Sequence, residues 1–307
     1  MNGNPRFEPC VGIVILTCNQ RGLTLDCLHS LFQMEYKNWF IVLVDNASTD
    51  GTAQAVRDKF PGVRIIVNSA NLGVAGGRNV GAIFVLEQGV DYILFLDNDT
   101  LVDPEFLKEL VKVVESDSTV GAIGPKIYYF GYPLLLCHAI GVFYPYIYQH
   151  RSLGGNKIDV GQFNCLSKVD WISGCAGLYN THIFKKVGLF DEIFSPYGPE
   201  DVDFSLRITK AGYRLAFSPE AHIYHRVNPH QSAPREKVRN IVRGRILLIR
   251  KHAQYFDVFI GLGWLVFYYL FYVPFRRKIK RTNLVMCDYL PGVLSGLRDG
   301  LFQVRGG

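Results

Sequence analysis

The sequence predicts an α/β fold with a mostly parallel central sheet, followed by a helical C-terminal segment. Short apolar runs alternate four times with stretches of helical spacing over the first 116 residues, and this alternation is typical of a parallel sheet covered by helices on both faces. The last quarter of the chain differs, because it carries a long uncharged run between clusters of Lys and Arg. We therefore expect one domain at residues 1–230 and a basic, apolar helical region at 231–307.

The predicted elements follow from the positions of these runs. Continuous apolar stretches, which are typical of strands buried on both faces, predict strands at 11–17, 40–44, 63–67, 92–96 and 120–127. Helical spacing predicts helices at 21–33, from about 52, at 78–88, 104–116, 182–187, 201–211 and 235–252. Residues 129–168 show no clean period and predict loops with short strands, and two short strands are expected at 213–217 and 221–224.

The charge of the chain is unevenly distributed. The net charge is +6, and residues 235–281 alone contain twelve Lys or Arg against two acidic residues, so the remainder is mildly acidic. This pattern excludes the evenly basic surface of a nucleic-acid-binding protein. It favours a C-terminal region that meets an anionic membrane surface.

The uncharged run at 258–275 is 18 residues long and is followed by a basic cluster at 276–281. Eighteen residues is the lower limit for a membrane span, and a single crossing would place the basic cluster outside, against the positive-inside rule. We therefore expect an interfacial or re-entrant segment on the cytoplasmic face of the inner (cell) membrane. The alternative is a hydrophobic helix that packs on the preceding domain.

The tripeptide Asp97-Asn98-Asp99 follows the strand predicted at 92–96. It delivers two carboxylates to the carboxyl end of a sheet strand, where ligands bind in open α/β sheets. Two such carboxylates repel each other unless a cation neutralises them, and Mg²⁺ or Mn²⁺ shared with a diphosphate is the expected cofactor. The alternative is a solvated turn at the end of the strand.

Polar side chains also follow the first two predicted strands. Thr17 and Asn19 follow the first, and Asp45 ends the second. Asp45 could accept the N3–H of a uracil or thymine ring, or it could cap the next helix in an Asx turn. Residues 73–79 are rich in glycine and lead into a helix, where Arg78 could donate to a base carbonyl or a phosphate. Their spacing is not that of a dinucleotide-binding fingerprint.

Glu200 and Asp201 begin the helix predicted at 201–211. Asp201 could be a general base whose pKa is tuned by the adjacent Glu200, or simply a helix N-cap. His225 ends a short strand and is a candidate metal ligand, with His222 and His230 as competitors. Because side chains alternate along a strand, His222 and His225 are expected on opposite faces.

Taken together in chain order, these stretches resemble the family 2 glycosyltransferases with the GT-A fold, a single Rossmann-like domain. The resemblance covers residues 11–225 and is greatest to bacterial rhamnosyltransferases of surface polysaccharide assembly. One departure is Cys18, where the family commonly has an aromatic residue. The matching stretches are 14–19, 44–52, 71–79, 95–100, 173–176, 188–192 and 200–203.

The resemblance implies an inverting transfer of a sugar, with L-rhamnose as the candidate, from a UDP- or dTDP-sugar to a hydroxyl of a lipid-linked or glycan acceptor. It implies that Asp201 is the catalytic base, with Glu200 beside it. The nucleotide base would be held by Asp45 and Arg78, and Thr17 and Asn19 would lie near the ribose. The resemblance further implies that Asp97 positions the ribose–diphosphate and that the metal is bound by Asp97, Asp99 and His225.

Two other classes of protein remain as alternatives. A sugar-1-phosphate nucleotidyltransferase would share the nucleotide fold, but it would normally carry a Gly-rich loop with Arg or Lys after the first strand, and residues 18–22 match that poorly. A non-catalytic, membrane-bound nucleotide-binding subunit would need no base, and the acidic residues at 97, 99, 200 and 201 argue against it.

Overall fold

A computed structural model describes residues 8–229, 234–274 and 286–302 of the chain. Its first half alternates strands and helices, as the sequence predicts. The elements there are β1 (Val11–Thr17), α1 (Arg21–Leu31), β2 (Trp39–Asp45), α2 (Thr52–Lys59), β3 (Arg64–Val67), α3 (Gly73–Glu87), β4 (Tyr92–Asp97), β5 (Thr100–Val102), α4 (Phe106–Ser116) and β6 (Val120–Tyr129).

The second half contains a β-ribbon and then helices. Its elements are β7 (Tyr132–His138), β8 (Ile140–Tyr144), β9 (Gln149–Leu153), β10 (Lys157–Ile158), β11 (Ser167–Val169), β12 (Ala176–Asn180), α5 (Thr181–Val187), α6 (Glu200–Lys210), β13 (Arg214–His225), α7 (Arg235–His252), α8 (Tyr255–Phe267) and α9 (Met286–Phe302), with a 3₁₀ turn at Glu192–Phe194 and a π-helical turn at Tyr268–Tyr272.

The central sheet brings the predicted site residues to one edge. Strands β3, β2, β1 and β4 are adjacent and parallel, with Thr17 paired with Asp45 and Leu16 paired with Asp97. The carboxyl ends of β1, β2 and β4 therefore meet. Beyond β4 the sheet becomes mixed, because β12 runs antiparallel between β4 and β6.

Both faces of this sheet are covered, which is why its strands are continuously apolar. Ile13 and Leu94 lie in the cluster formed with α1 and α4. Val14 and Phe95 lie in the opposite cluster, formed with α3, α5 and α6. Adjacent residues of one strand thus enter different cores, which fixes the register of each strand in the sheet.

The sequence-based elements require three corrections. Helix α3 begins at Gly73, so residues 73–79 form a helical turn rather than a loop. Its glycines serve packing: a Cβ at Gly77 would lie 2.3 Å from Leu16, and one at Gly81 would lie 2.4 Å from Val14. The strands predicted at 213–217 and 221–224 are one strand, β13, with an irregularity between Ser218 and His222. The strands β5 and β12 were not predicted.

The C-terminal helices pack together and against the α/β body. Arg243 of α7 donates to the carbonyls of Ile193 and Ser195 at 2.7 and 2.9 Å, and α9 lies against α7. Within the described residues, no helix is long and apolar enough to cross a membrane. Residues 275–281, with the basic cluster, lie outside the described part, as do His230 and the predicted domain boundary.

Candidate active site

A cavity of about 710 Å³ opens at the edge where β1 and β4 end. Leu16 and Thr17 of β1 and Asp97 of β4 form its floor, and residues 173–175 and 196–201 form walls. This is the crevice at the carboxyl ends of parallel strands where open α/β sheets bind ligands. Two of the predicted site residues, Asn19 and Asp45, do not line it.

Arg78 joins the carboxylates at the centre of the cavity. Its side chain donates to Asp97 Oδ1 at 2.8 Å, to Glu200 Oε1 at 3.1 Å and to the carbonyl of Gly174 at 2.7 Å. Burial alone would lower the pKa of Arg78, but the charges of Asp97, Glu200 and Asp201 outweigh it and raise this pKa. The guanidinium is therefore a permanent cation between acidic side chains, and its donors contact Asp97, Glu200 and the Gly174 carbonyl.

Glu200 and Asp201 begin α6 at the cavity wall, and their environments differ. Glu200 is 5% exposed, and its Oε2 is buried without a hydrogen bond. Burial, followed by the charge of Asp201, raises the pKa of Glu200 to about 8. Asp201 is half-buried, and its two oxygens accept from the backbone N–H groups of Gly174 and Val202 at 2.9 and 2.7 Å. Its carboxylate is thereby fixed in orientation beside the cavity.

Potential metal ligands converge next to this pair. Oxygen, sulfur and ring-nitrogen atoms of Asp97, Cys175 and His225 all lie within 4.8 Å of one another. Asp99 Oδ1 lies 3.1 Å from Nε2 of His225, which is an ion-pair distance, yet it is buried without a well-oriented hydrogen bond. A buried, unsatisfied carboxylate oxygen beside converging ligand atoms fits a divalent cation. His222, as expected, points elsewhere, with Nε2 2.7 Å from the carbonyl of Pro219.

Cys175 was missed as a candidate ligand. The sequence contains it only as part of the stretch 173–176, and its proximity to Asp97 depends on β12 lying beside β4, where the carbonyl of Cys175 accepts from the N–H of Asp97 at 2.9 Å. Burial raises the pKa of its thiol to about 12. No local pattern in the sequence reports this antiparallel neighbour.

The residues predicted to hold the nucleoside are engaged in the protein itself. The hydroxyl of Thr17 shares a hydrogen bond with Thr24 at 2.8 Å, and Asn19 Oδ1 accepts from the N–H of Thr49 at 2.7 Å. Asp45 is 1% exposed and accepts from the N–H of Ser48 at 2.7 Å, which is the turn that was the alternative interpretation. Asn46, which was not predicted, lines the cavity instead.

Comparisons with known proteins identify the family of the chain. Residues 12–175 match the family model described as glycosyl transferase family 2. The chain is 26% identical over 308 residues to the dTDP-rhamnosyl transferase RfbF of Shigella flexneri, which covers 96% of each chain. It is 29% identical over 211 residues to the N-acetylglucosaminyl-diphospho-decaprenol L-rhamnosyltransferase of Mycobacterium tuberculosis, which covers 60% of this chain and 66% of that enzyme.

Solved structures show the same fold. The mannosyltransferase PcManGT from Pyrobaculum calidifontis, in complex with GDP-Man and Mn²⁺, superposes with a TM-score of 0.61 at 14% identity, over 97% of this chain and 89% of that one. The S. aureus TarS 1–349 complex with UDP-GlcNAc gives a TM-score of 0.59 at 18% identity, over 95% and 80%. The resemblance inferred from the motifs is confirmed, and the chain belongs to glycosyl transferase family 2.

Proposed function

We propose that this chain is an inverting, metal-dependent glycosyltransferase that moves L-rhamnose from a dTDP- or UDP-linked donor to a hydroxyl of a lipid-linked saccharide in surface polysaccharide synthesis. The family and the fold support sugar transfer from a nucleotide donor. The names of the Shigella and Mycobacterium relatives support rhamnose as the sugar, and the second supports a lipid-diphosphate acceptor.

The observation that carries the proposal is the geometry around Asp201. Its carboxylate is fixed by two backbone N–H groups and lines the cavity close to the buried Glu200–Arg78–Asp97 chain of ion pairs. In the proposed step, Asp201 takes the proton of the acceptor hydroxyl while the oxygen attacks the anomeric carbon. The bond between that carbon and the diphosphate oxygen breaks on the opposite face, so the configuration inverts.

The departing nucleoside diphosphate carries the negative charge that develops in this step. Arg78 pairs with Asp97 and also donates to Glu200, so the charge of Asp97 is compensated within the protein and does not oppose it. A divalent ion held by Asp97, Asp99 and His225, with the Cys175 sulfur within reach, would neutralise the leaving group. Cavity carboxylates outnumber the cationic side chains that the structure describes there, which favours a bound cation.

Variants of the two adjacent acids test the role of the base. We expect Asp201→Asn to lower transfer from dTDP-L-rhamnose by about 10²–10⁴-fold and to leave nucleotide binding unchanged. Glu200→Gln keeps the hydrogen-bonding atoms beside Arg78 and should reduce transfer less. Rates measured by chromatography of released dTDP, and calorimetric titration with dTDP, separate the two effects. A larger loss in Glu200→Gln would move the base to Glu200.

The alternatives predict different products. A sugar-1-phosphate nucleotidyltransferase would release inorganic diphosphate from a nucleoside triphosphate, whereas the proposed enzyme releases a nucleoside diphosphate. A non-catalytic nucleotide-binding subunit would bind the donor without hydrolysing it when acceptor is absent. Chromatography of the reaction mixtures with each substrate therefore distinguishes all three functions.

We also propose that the C-terminal helices place the enzyme on the cytoplasmic face of the cell membrane, on anionic lipid. The support is an exposed apolar surface on α8, the adjoining π turn and α9. Phe259 is 78% exposed, Phe271 is 61% exposed and Phe302 is 76% exposed. Exposed aromatic side chains of this kind suit the headgroup region of a bilayer.

A further inference from the structure

A second cavity, of about 760 Å³, lies between α7 and α9 next to the active site. We call it the arginine groove, because Arg239, Arg243 and Arg298 line it. Pro196 lines both this groove and the catalytic cavity. The two spaces are therefore neighbours, with Pro196 between them.

Three arginines and two carboxylates, those of Glu236 and Asp299, line the groove, so its lining carries a net positive charge. Asp299 Oδ2 lies 2.5 Å from Nε of Arg239, and its Oδ1 lies 3.1 Å from Nε of Arg298, so one carboxylate serves two arginines. Arg243 is 8% exposed and donates to backbone carbonyls. Burial, followed by the charge of Arg239, lowers the pKa of Arg243. An anion placed in the groove would relieve this repulsion between cations.

The same helix connects the groove with the mouth of the active site. The ammonium of Lys237 lies 5.7 Å from the ring centroid of Tyr197, which lines the catalytic cavity. Phe302 lines the groove on its other side and is 76% exposed, beside the exposed Leu301. From the active site outward, the surface therefore presents Lys237 and Tyr197, then the arginines of the groove, and then the apolar side chain of Phe302.

We propose that the arginine groove binds the diphosphate of the acceptor, with the acceptor saccharide extending past Pro196 into the catalytic cavity and the hydrocarbon chain leaving over α9. This inference rests on the proposed function, since it assumes a lipid-linked acceptor. The donor diphosphate belongs at Asp97, so an acceptor diphosphate needs a separate anion site one saccharide away. Guanidinium groups bind phosphate oxygens as bidentate donors, and the order saccharide, diphosphate, hydrocarbon matches the order of the surfaces.

Binding of farnesyl diphosphate to the full-length protein tests the groove without any transfer reaction. The titration is done by calorimetry in EDTA, which removes the divalent ion proposed to hold a diphosphate at the donor site and so separates the groove from that site. We expect Arg298→Gln to weaken binding about tenfold, the loss of one charge-assisted contact. Arg214→Gln is the matched control, because Arg214 also pairs with one aspartate, Asp117, on the exposed surface. It should leave the affinity unchanged.

Asp299→Asn distinguishes binding from structural damage. It removes the carboxylate that competes for Arg239 and Arg298, so we expect tighter binding of farnesyl diphosphate by severalfold, whereas a damaged groove would bind more weakly. Equal affinities in wild type, Arg298→Gln and Asp299→Asn would overturn the proposal. Binding of phosphatidylglycerol vesicles that is weakened by Arg298→Gln, with no binding of farnesyl diphosphate, would also overturn it and identify a lipid headgroup as the ligand of the groove. Absence of sugar transfer alone would contradict the proposed function and leave this result standing.

Discussion

At the scale of single residues, the cavity depends on how Arg78 and Gly174 fit together. The guanidinium donates to the Gly174 carbonyl at 2.7 Å, and a Cβ at position 174 would lie 2.8 Å from its Nη1. A side chain there would displace Arg78 from Asp97 and Glu200. Removing one partner of a buried ion pair leaves uncompensated charge, which typically costs about 3–5 kcal/mol. Glycine at position 174 therefore allows Arg78 to keep its contacts with Asp97 and Glu200.

Cys175 should give the proposed metal site an affinity for soft ions. A thiolate prefers Cd²⁺ and Zn²⁺ to Mg²⁺, and the Cys175 sulfur lies within 4.8 Å of ligand atoms of Asp97 and His225. We expect Cd²⁺ to bind with a sulfur-to-metal charge-transfer band in the ultraviolet, and Cys175→Ser to lose that band. The measurement is a spectroscopic titration of the full-length protein with Cd²⁺.

Cys165→Ser is the control for this experiment, because Cys165 is an exposed thiol that lies outside the ligand cluster. It should keep the Cd²⁺ band. If the band instead survives in Cys175→Ser and disappears in Cys165→Ser, Cd²⁺ binds at the surface and Cys175 has no part in the site.

His138 should make the free energy of unfolding fall at acid pH. It is 7% exposed, its ring centroid lies 4.9 Å from that of Trp171, and burial lowers its pKa to about 4 from an ordinary value of 6.5. Between these values the unfolded chain binds a proton that the folded protein does not. The contribution of neutral His138 to the free energy of unfolding is therefore complete above pH 6.5. It is lost as the pH falls towards 4, by about 3 kcal/mol at 1.36 kcal/mol per pKa unit.

Urea unfolding at pH 7 and at pH 4.5 measures this effect. We expect His138→Leu to reduce the loss of unfolding free energy between these two pH values by about 2 kcal/mol. His182→Leu, at an exposed position of α5, should reproduce the wild-type loss. The same pH dependence in wild type and His138→Leu would contradict the assignment to His138.

The location of a site residue could be predicted where the residue directly follows a strand. It could not be predicted where it depends on contact with a residue that is distant in the chain. Asp97 and Asp99 could be located because a buried strand places them at the ligand-binding edge. The contact of Arg78 with Glu200 could not be predicted, since the two residues lie 122 positions apart in the chain. The proximity of Cys175 to His225 likewise depends on the pairing of β12 and β13 with other strands.

At the scale of elements, the buried carboxylate of Asp203 in α6 binds two side chains of α7. Asp203 Oδ1 lies 2.7 Å from Nε2 of His252 and 2.9 Å from Nζ of Lys251, and its Oδ2 accepts from Nε of Arg207 at 2.9 Å. Burial would raise the pKa of Asp203, but these partners lower it to about 2. Since α6 begins with Glu200 and Asp201, the contact links the C-terminal helices to the proposed base.

Helix α9 packs on α7 through Gly292, Gly296 and Gly300. A Cβ at Gly296 would lie 2.5 Å from the carbonyl oxygen of Arg239 and 2.8 Å from Cβ of Val242. We therefore expect Gly296→Ala to destabilise the protein by about 1–3 kcal/mol, the usual cost of overpacking, although alanine is the better helix former. Thermal and urea unfolding of the full-length protein measure the change.

Gly263 provides a matched control on the neighbouring helix. It lies inside α8, and a Cβ there would meet nothing within 4 Å. Gly263→Ala should therefore stabilise the protein slightly, by up to about 1 kcal/mol, through helix propensity alone. If the two substitutions have the same sign and size, close contact between α7 and α9 is not what requires glycine at 296.

The element pattern was predictable in the first half of the chain, because buried parallel strands and amphipathic helices leave clear periodicities. The start of α3 was misplaced, since glycines read as loop residues by propensity but are required here for close packing on Val14 and Leu16. The glycines at 292, 296 and 300 recur every four residues, and this spacing could have predicted a helix face that packs closely on another helix. The ribbon at 132–158 gives no signal, because its strands are short and partly exposed.

At the scale of the whole molecule, the C-terminal helices pack on the α/β body and also carry exposed aromatic side chains of their own. Val242 and Ile246 of α7 are fully buried in a cluster with Leu265 and Val293. A truncation at residue 255 would uncover this cluster and confuse loss of folding with loss of membrane binding. Substitutions confined to exposed side chains avoid that problem.

The double substitution Phe259→Ser and Phe271→Ser should weaken binding to phosphatidylglycerol vesicles by about tenfold per phenylalanine, because each exposed ring would otherwise enter the interface. Binding to phosphatidylcholine vesicles should be weaker throughout, and salt should reduce the difference. The control is Leu134→Ser with Val160→Ser, two apolar side chains of the α/β body that are 57% and 81% exposed. Vesicle co-sedimentation of the wild type and both double variants on each lipid measures these effects, and equal binding by both double variants would show that α8 and its π turn do not touch the membrane.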